Sequence, residues 1–121
     1  MSTVLLVEDS QSTREVMTEL LKKKGLTVRS APDGEQALEL IKQMIPDIVV
    51  LDIILPKMNG YEVCRQIKSN PKTKEVPVII CSSKKEDFDR YWGMKQGADA
   101  YISKPFQASE LVATIKQLLR K

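Results

Sequence analysis

The residues of this chain best placed to do chemistry stand at the ends of short apolar runs. VLLV at 4 to 7 is followed at once by Glu8 and Asp9, and IVVL at 48 to 51 by Asp52. VIIC at 78 to 81 leads into Ser82, and AYIS at 100 to 103 ends in Ser103 with Lys104 next. An ionised carboxylate at the lip of a buried run costs several kcal/mol unless something pairs with it. Three carboxylates gathered in one pocket repel one another, and a cation relieves them. Hard oxygen ligands match Mg²⁺, which takes one or two carboxylates, keeps several waters and accepts a phosphate oxygen. Lys104 adds a compact positive charge able to pair with a phosphoryl oxygen or with Asp52, and Ser82 adds a hydroxyl donor. Nucleophile, metal, cation and donor together suit phosphoryl transfer onto a carboxylate. Taken singly, each acid is more ordinarily a solvated loop residue or a helix cap, and so is Ser82. Their convergence carries the reading.

That convergence needs elements to produce it. The apolar runs, with TVRSA at 27 to 31, alternate with segments of helical periodicity. Val16, Met17, Leu20 and Leu21 mark the first such segment, Ala37, Leu38 and Ile41 the second, and Val63, Cys64 and Ile67 the third. The last carries Leu111, Val112, Ile115, Leu118 and Leu119. Punctuation agrees: Gly25 after the first helix, Asp33-Gly34 before the second, Pro46 after it and Pro71 after the third. Ser83 with Glu86 reads as a capping box opening the fourth. The pattern is βα five times over. Continuously apolar strands imply a parallel sheet covered on both faces, so an α/β three-layer sandwich is predicted. It is doubly wound and flavodoxin-like, five strands in the order 2-1-3-4-5 with five helices. In such a sheet ligands bind outside the carboxyl ends of the strands, the rim to which Glu8, Asp9, Asp52, Ser82 and Lys104 belong. TVRSA delivers only Pro32, which suits an edge strand.

Composition narrows the function. The length of 121 residues predicts one domain, residues 1–121, and 42% apolar with 29% charged residues describe an ordinary globular chain. The formal net charge is only +3, and the run Lys22, Lys23 and Lys24 falls where a helix end welcomes cations, so it reads as a solvated terminus rather than a nucleic-acid patch. Cys64 and Cys81 lie among apolar neighbours, as reduced core thiols do. Histidine is absent, which removes Ser-His-Asp, Cys-His and His-based zinc chemistry. No stretch approaches the roughly 20 apolar residues that span a bilayer, and MSTVLLVEDS turns acidic too early for a secretory signal. A cytoplasmic location without membrane insertion is expected. With nothing following the last helix, output is expected to leave through the surface of this one domain.

VLLVEDS at 4 to 10, DIVVLDIILPKMNGYEV at 47 to 63, PVIICSS at 77 to 83 and GADAYISKPF at 97 to 106 resemble, in order and spacing, the receiver domain of two-component response regulators. The likeness covers essentially the whole chain. It implies that Asp52 is the phospho-acceptor for a histidine kinase, and that Glu8 and Asp9 hold Mg²⁺ with Asp52 and the carbonyl of Ile54. It further implies that Lys104 contacts the phosphoryl group, that Ser82 and Tyr101 are the switch hydroxyl and aromatic, and that Lys104-Pro105 is a cis peptide. Such a module is not an enzyme in the ordinary sense, although it assists its own phosphorylation and dephosphorylation. On phosphorylation Ser82 is drawn toward the new charge, Tyr101 turns inward, and the face of helix four, strand five and helix five is biased toward a downstream partner. YWGMKQGADAYISKP is also similar, more weakly, to stand-alone chemotaxis-like receivers of pilus-based twitching motility or phototaxis systems.

Within that pattern Ile54 and Lys84 stand two residues after Asp52 and Ser82, overlooking the path of an attacking water. Phe88, Tyr91 and Trp92 crowd one predicted helix, and the latter two cannot easily both point inward, so an exposed patch that docks a partner is expected. Two other classes compete. A phosphatase of the haloacid dehalogenase type uses an aspartyl nucleophile and Mg²⁺, but wants a second aspartate where Ile54 stands and its nucleophile after the first strand. A flavodoxin-like flavin binder wants hydroxyls, not Glu8 and Asp9, in its phosphate loop.

Overall fold

Each apolar run forms a strand, and the alternation of side chains along it feeds two separate cores. The computed structural model describes residues 2–120. Strands β1 (Thr3–Val7), β2 (Thr27–Ala31), β3 (Ile48–Leu51), β4 (Val78–Ser82) and β5 (Ala100–Ser103) form one parallel sheet in the order β2-β1-β3-β4-β5. Helices α1 (Gln11–Lys23), α2 (Gly34–Gln43), α3 (Gly60–Ser69), α4 (Asp87–Lys95) and α5 (Ala108–Leu119) connect and follow them. Leu5, Val7, Val49, Leu51, Val78 and Ile80 pack with Ala37, Ile41, Val63 and Ile67 of α2 and α3. The intervening Val4, Leu6, Ile48, Val50, Ile79 and Cys81 pack with Met17 and Leu21 of α1 and Leu111 and Ile115 of α5. Burial on both faces is why these strands read as unbroken apolar runs.

Helix starts follow short polar side chains. Ser10, Asp33 and Asn59 cap α1, α2 and α3 by accepting from the backbone N–H of Thr13, Gln36 and Glu62. Lys22 and Lys23 occupy the last turn of α1, and Gly25 follows at φ +86°. Cys64 and Cys81 are buried free thiols, and burial pushes them up to about 11 and about 12 respectively. Lys68 of α3 reaches across the opposite edge to the carboxylate of Asp99 at 2.9 Å and the carbonyl of Val76 at 2.9 Å, tying the α3–β4 connection to the entry of β5.

Two sequence expectations are corrected. Val16 does not face the core: it is 69% exposed, because α1 buries Met17 and Leu21 and turns Val16 toward a surface groove. Ser83 does not open α4. The helix begins at Asp87 after the cap Glu86, whose N–H donates to Asp89, because Lys84 is held outside the helix at both ends. Its N–H donates to Ser82 Oγ at 3.4 Å and its carbonyl accepts from Tyr101 Oη at 2.6 Å.

The connection from β3 to α3 passes closest to another backbone at Gly60. Its N–H donates to the Ile53 carbonyl at 2.8 Å, and a Cβ there would stand 2.1 Å from the Asp52 carbonyl oxygen and 2.7 Å from Ile53 Cα. Gly60→Ala therefore has to displace the segment that carries Asp52. A loss on the order of 3 kcal/mol is expected from this overpacking, measured by urea unfolding.

Candidate functional site

The parallel register decides which side chains meet. Val7 pairs with Ala31 and Leu51, Leu51 with Ile80, and Ile80 with Tyr101. One residue beyond that row, Glu8 and Asp52 leave adjacent strands side by side. Their backbones are fixed, since Glu8 N–H donates to Ala31 at 3.1 Å and Asp52 N–H to Val7 at 3.1 Å. Lys104 N–H donates to the Ser82 carbonyl at 2.8 Å, which carries β5 past its end toward the same rim. The Lys104-Pro105 peptide is cis.

The Lys104 ammonium lies between the two acids, donating to Glu8 Oε1 at 2.5 Å and Asp52 Oδ2 at 3.0 Å. Glu8 is 4% and Asp52 8% exposed, so both charges are desolvated. Their other oxygens are served by backbone: Ser10 N–H donates to Glu8 Oε2 and Ile54 N–H to Asp52 Oδ1, each at 3.2 Å. Buried carboxylates persist only with this degree of pairing. Burial alone would lower the pKa of Lys104, but the hydrogen bonds and charges of Glu8 and Asp52 outweigh it and hold it above the ordinary lysine value.

Asp9 is placed differently. Its side chain is exposed, and among the described residues no three acidic, thiol or imidazole groups converge. The pocket is thus built on two carboxylates, with the third at its lip where the chain turns into α1. Arg14, which the sequence reading passed over, ties down that turn by donating to the carbonyls of Glu8 at 2.7 Å and Asp9 at 3.5 Å. Backbone acceptors leave no trace in sequence. The donor set still fits a hard divalent ion: two buried carboxylates outweigh one ammonium, and oxygen is the atom that each presents.

Around the acids stand the remaining candidates. Ser82 is fully buried at the end of β4. Ile54 turns its side chain out, 52% exposed, and Lys84 is exposed. Tyr101 faces inward at 6% exposure, and burial first, then repulsion from the Tyr61 phenolate that forms only at high pH and from the Asp89 carboxylate, push its phenol up to about 12. Phe88, Tyr91 and Trp92 do form an exposed patch: Phe88 and Tyr91 are 65% and 59% exposed, and each sets its ring edge-on to Trp92. Between α1 and the β5–α5 connection lies an apolar groove of about 530 Å³, lined by Val16, Met17, Pro105 and Phe106 with Lys104 on its wall.

Comparison with known proteins gives one consistent result. Residues 4–116 match the family model described as the response regulator receiver domain. The chain is 42% identical over 118 residues to ycf27 of Guillardia theta, which bears the name of a transcriptional regulator; the match takes in 98% of this chain and 45% of that protein. The chain thus spans less than half the length of this curated relative. Among solved structures, one named as a response regulator from Chloroflexus aurantiacus superposes with a TM-score of 0.95 at 32% identity, covering 99% of this chain and 98% of the other. The chemotaxis protein CheY4 of Vibrio cholerae superposes with a TM-score of 0.92 at 27% identity, covering 98% of each chain. No helix among the described residues is long and apolar enough to cross a membrane.

Removing the central cation tests the electrostatic arrangement directly. Lys104→Ala leaves Glu8 and Asp52 facing each other, and a loss of about 3 kcal/mol at neutral pH is expected in urea unfolding without divalent metal. Because the folded pKa of Lys104 is raised, its contribution is complete below the free lysine value of about 10.4 and fades as pH climbs through the folded value. The gap between wild type and variant should be flat from pH 7 to about 10 and narrow above that.

Proposed function

We propose, since the chain belongs to the response regulator receiver domain family, that it is a switch set by phosphorylation of Asp52. The observation that carries this reading is the Lys104 ammonium seated on Asp52 Oδ2 at 3.0 Å, on the rim where a carboxylate could receive a phosphoryl group. The phosphodonor is a histidine kinase, as membership of a response regulator family implies. In the transfer, an Asp52 oxygen attacks phosphorus, the O–P bond forms and the N–P bond of a phosphohistidine breaks. The electron pair leaves with the imidazole nitrogen, which the kinase's surroundings protonate.

Glu8, Asp9, Asp52 and the backbone carbonyl of Ile54 would hold Mg²⁺, which when bound neutralises charge on the transferred group. Lys104 stays in contact with the new phosphoryl oxygens, exchanging one anionic partner for another. Ser82 donates its hydroxyl to the same oxygens and lets go of Lys84, to whose N–H it is bonded at 3.4 Å. The Lys84 connection, freed from Ser82 but still accepting from Tyr101 Oη, passes the change to α4 and β5 with the ring kept inward. Hydrolysis by water, entering past Ile54 and Lys84, resets the module. The groove lined by Val16, Met17, Pro105 and Phe106 suits an apolar patch of the phosphodonor, and the Phe88, Tyr91 and Trp92 patch suits a downstream protein. This reading extends the receiver over residues 1–121, in the cytoplasm. Control of motility in a chemotaxis-like system is the setting it favours, with neither nucleic acid nor membrane contacted by this domain.

Incubation with acetyl phosphate and Mg²⁺, read by intact mass, should add one phosphoryl group to the wild type and none to Asp52→Asn. Chelation of the metal should abolish the addition. Unchanged labelling of Asp52→Asn would overturn the assignment. Trp92→Ala should leave the labelling as in wild type while weakening capture of the downstream protein about tenfold, since aromatic anchors dominate such contacts.

A further inference from the structure

Tyr101 is enclosed on several sides. Its ring lies beside Gly93, the single buried residue of α4, where a Cβ would stand 3.0 Å from both Tyr101 Cδ2 and Ile80 Cδ1. Its hydroxyl donates to the Lys84 carbonyl at 2.6 Å. Arg90, three residues before Gly93 on the same face of α4, brings its guanidinium carbon 5.2 Å from the ring centroid. The same guanidinium donates from Nη1 to the Tyr101 carbonyl at 3.0 Å.

We propose that Arg90 and Gly93 are positioning residues of the switch: Gly93 leaves the slot that admits the Tyr101 ring, and Arg90 closes over the ring and clasps its backbone. The inference rests on the receiver reading above and concerns what sets the resting position of its aromatic residue. Glycine inside a helix weakens it relative to alanine, so this position gives up helix stability for the volume of one methyl group, and that volume is where the ring edge sits. Only a planar, forked cation can face a ring and donate to a carbonyl together, which distinguishes Arg90 from a lysine. Burial pushing the Tyr101 phenol upward agrees with an enclosed ring.

The clasp has a functional consequence. Because its contacts are made by α4 and Lys84, the ring is held inward before a phosphoryl group arrives, and phosphorylation then works on an equilibrium already inclined toward the inward arrangement. By linkage, loosening the clasp raises the free energy that phosphorylation has to supply to reach that arrangement.

The test is nuclear Overhauser contact, in the unphosphorylated full chain, between the Tyr101 ring protons and the Ile80 δ-methyl and Gly93 α-protons. The wild type should show both. In Arg90→Ala, where the replaced side chain is exposed, the ratio of inward to outward ring should fall about threefold, the scale of losing one cation–π contact, and both contacts should weaken accordingly. Arg90→Lys should recover part of the loss. In Gly93→Ala the Ile80 contact should disappear, with thermal melting followed by circular dichroism confirming that the variant folds. Absence of the contacts in wild type, or contacts equally strong in wild type and Arg90→Ala, overturns the proposal. Phosphorylation by acetyl phosphate is measured on the same samples. Contacts that respond as described in a protein whose Asp52 cannot be labelled would uphold the clasp and reject the receiver reading.

Discussion

The fold is arranged so that one ammonium group can satisfy two desolvated carboxylates that come from different strands. Glu8 and Asp52 are brought together by the parallel pairing of β1 with β3, and that pairing leaves like charges beside each other at the rim. Burying either charge without a partner is costly. Lys104 resolves the repulsion from β5, at the far side of β4, so the site is complete only when the four strands β1, β3, β4 and β5 are in register. The demand explains other features: backbone donors at Ser10 and Ile54 for the outer oxygens, and Arg14 to steady the turn that delivers Glu8 and Asp9. A site held by mutual neutralisation is also one that a new anion can enter, because the incoming charge takes over a cation already present.

Much of this was legible in the amino-acid order, for a definite physical reason. Strands covered on both faces have to be apolar throughout, so their ends are marked by the first polar residue, and in a parallel sheet those ends share one rim. Glu8, Asp52 and Ser82 are found by that rule alone, and Lys104 stands one residue beyond the Ser103 that it marks. The failures have equally specific causes. Val16 continues a helical apolar pattern, but periodicity does not separate a residue facing the core from one lining a groove. Ser83 and Glu86 have the spacing of a capping box, yet Lys84 between them is claimed by Tyr101, seventeen residues along the chain. Arg14 and Arg90 act largely on backbone carbonyls, which carry no residue signature.

The two faces of the sheet divide labour. On the side of α1 and α5 a continuous apolar core reaches from Val4 to Ile115, and the surface above it offers the groove beside Lys104. On the other side α2 and α3 are anchored by Ala37, Ile41, Val63, Cys64 and Ile67, whereas α4 is attached through Gly93 and polar clasps. Tyr61 adds one of these, its hydroxyl donating to the Asp89 carbonyl at 3.1 Å. An element held by few buried apolar contacts can shift at small free-energy cost, while the well-anchored remainder keeps the acids in place. Rigidity at the rim and looseness at α4 therefore come from the same distribution of apolar residues.

The single buried glycine of α4 reaches beyond motion. Phe88 and Tyr91 lie mostly in solvent, so exchanging them costs the interior little. Over generations such a helix is free to acquire new binding specificities by drift in its outward residues, with the rim of Glu8, Asp52 and Lys104 inherited unchanged. Duplicated copies of this gene could thus diverge into separate, insulated circuits without passing through an unfolded ancestor.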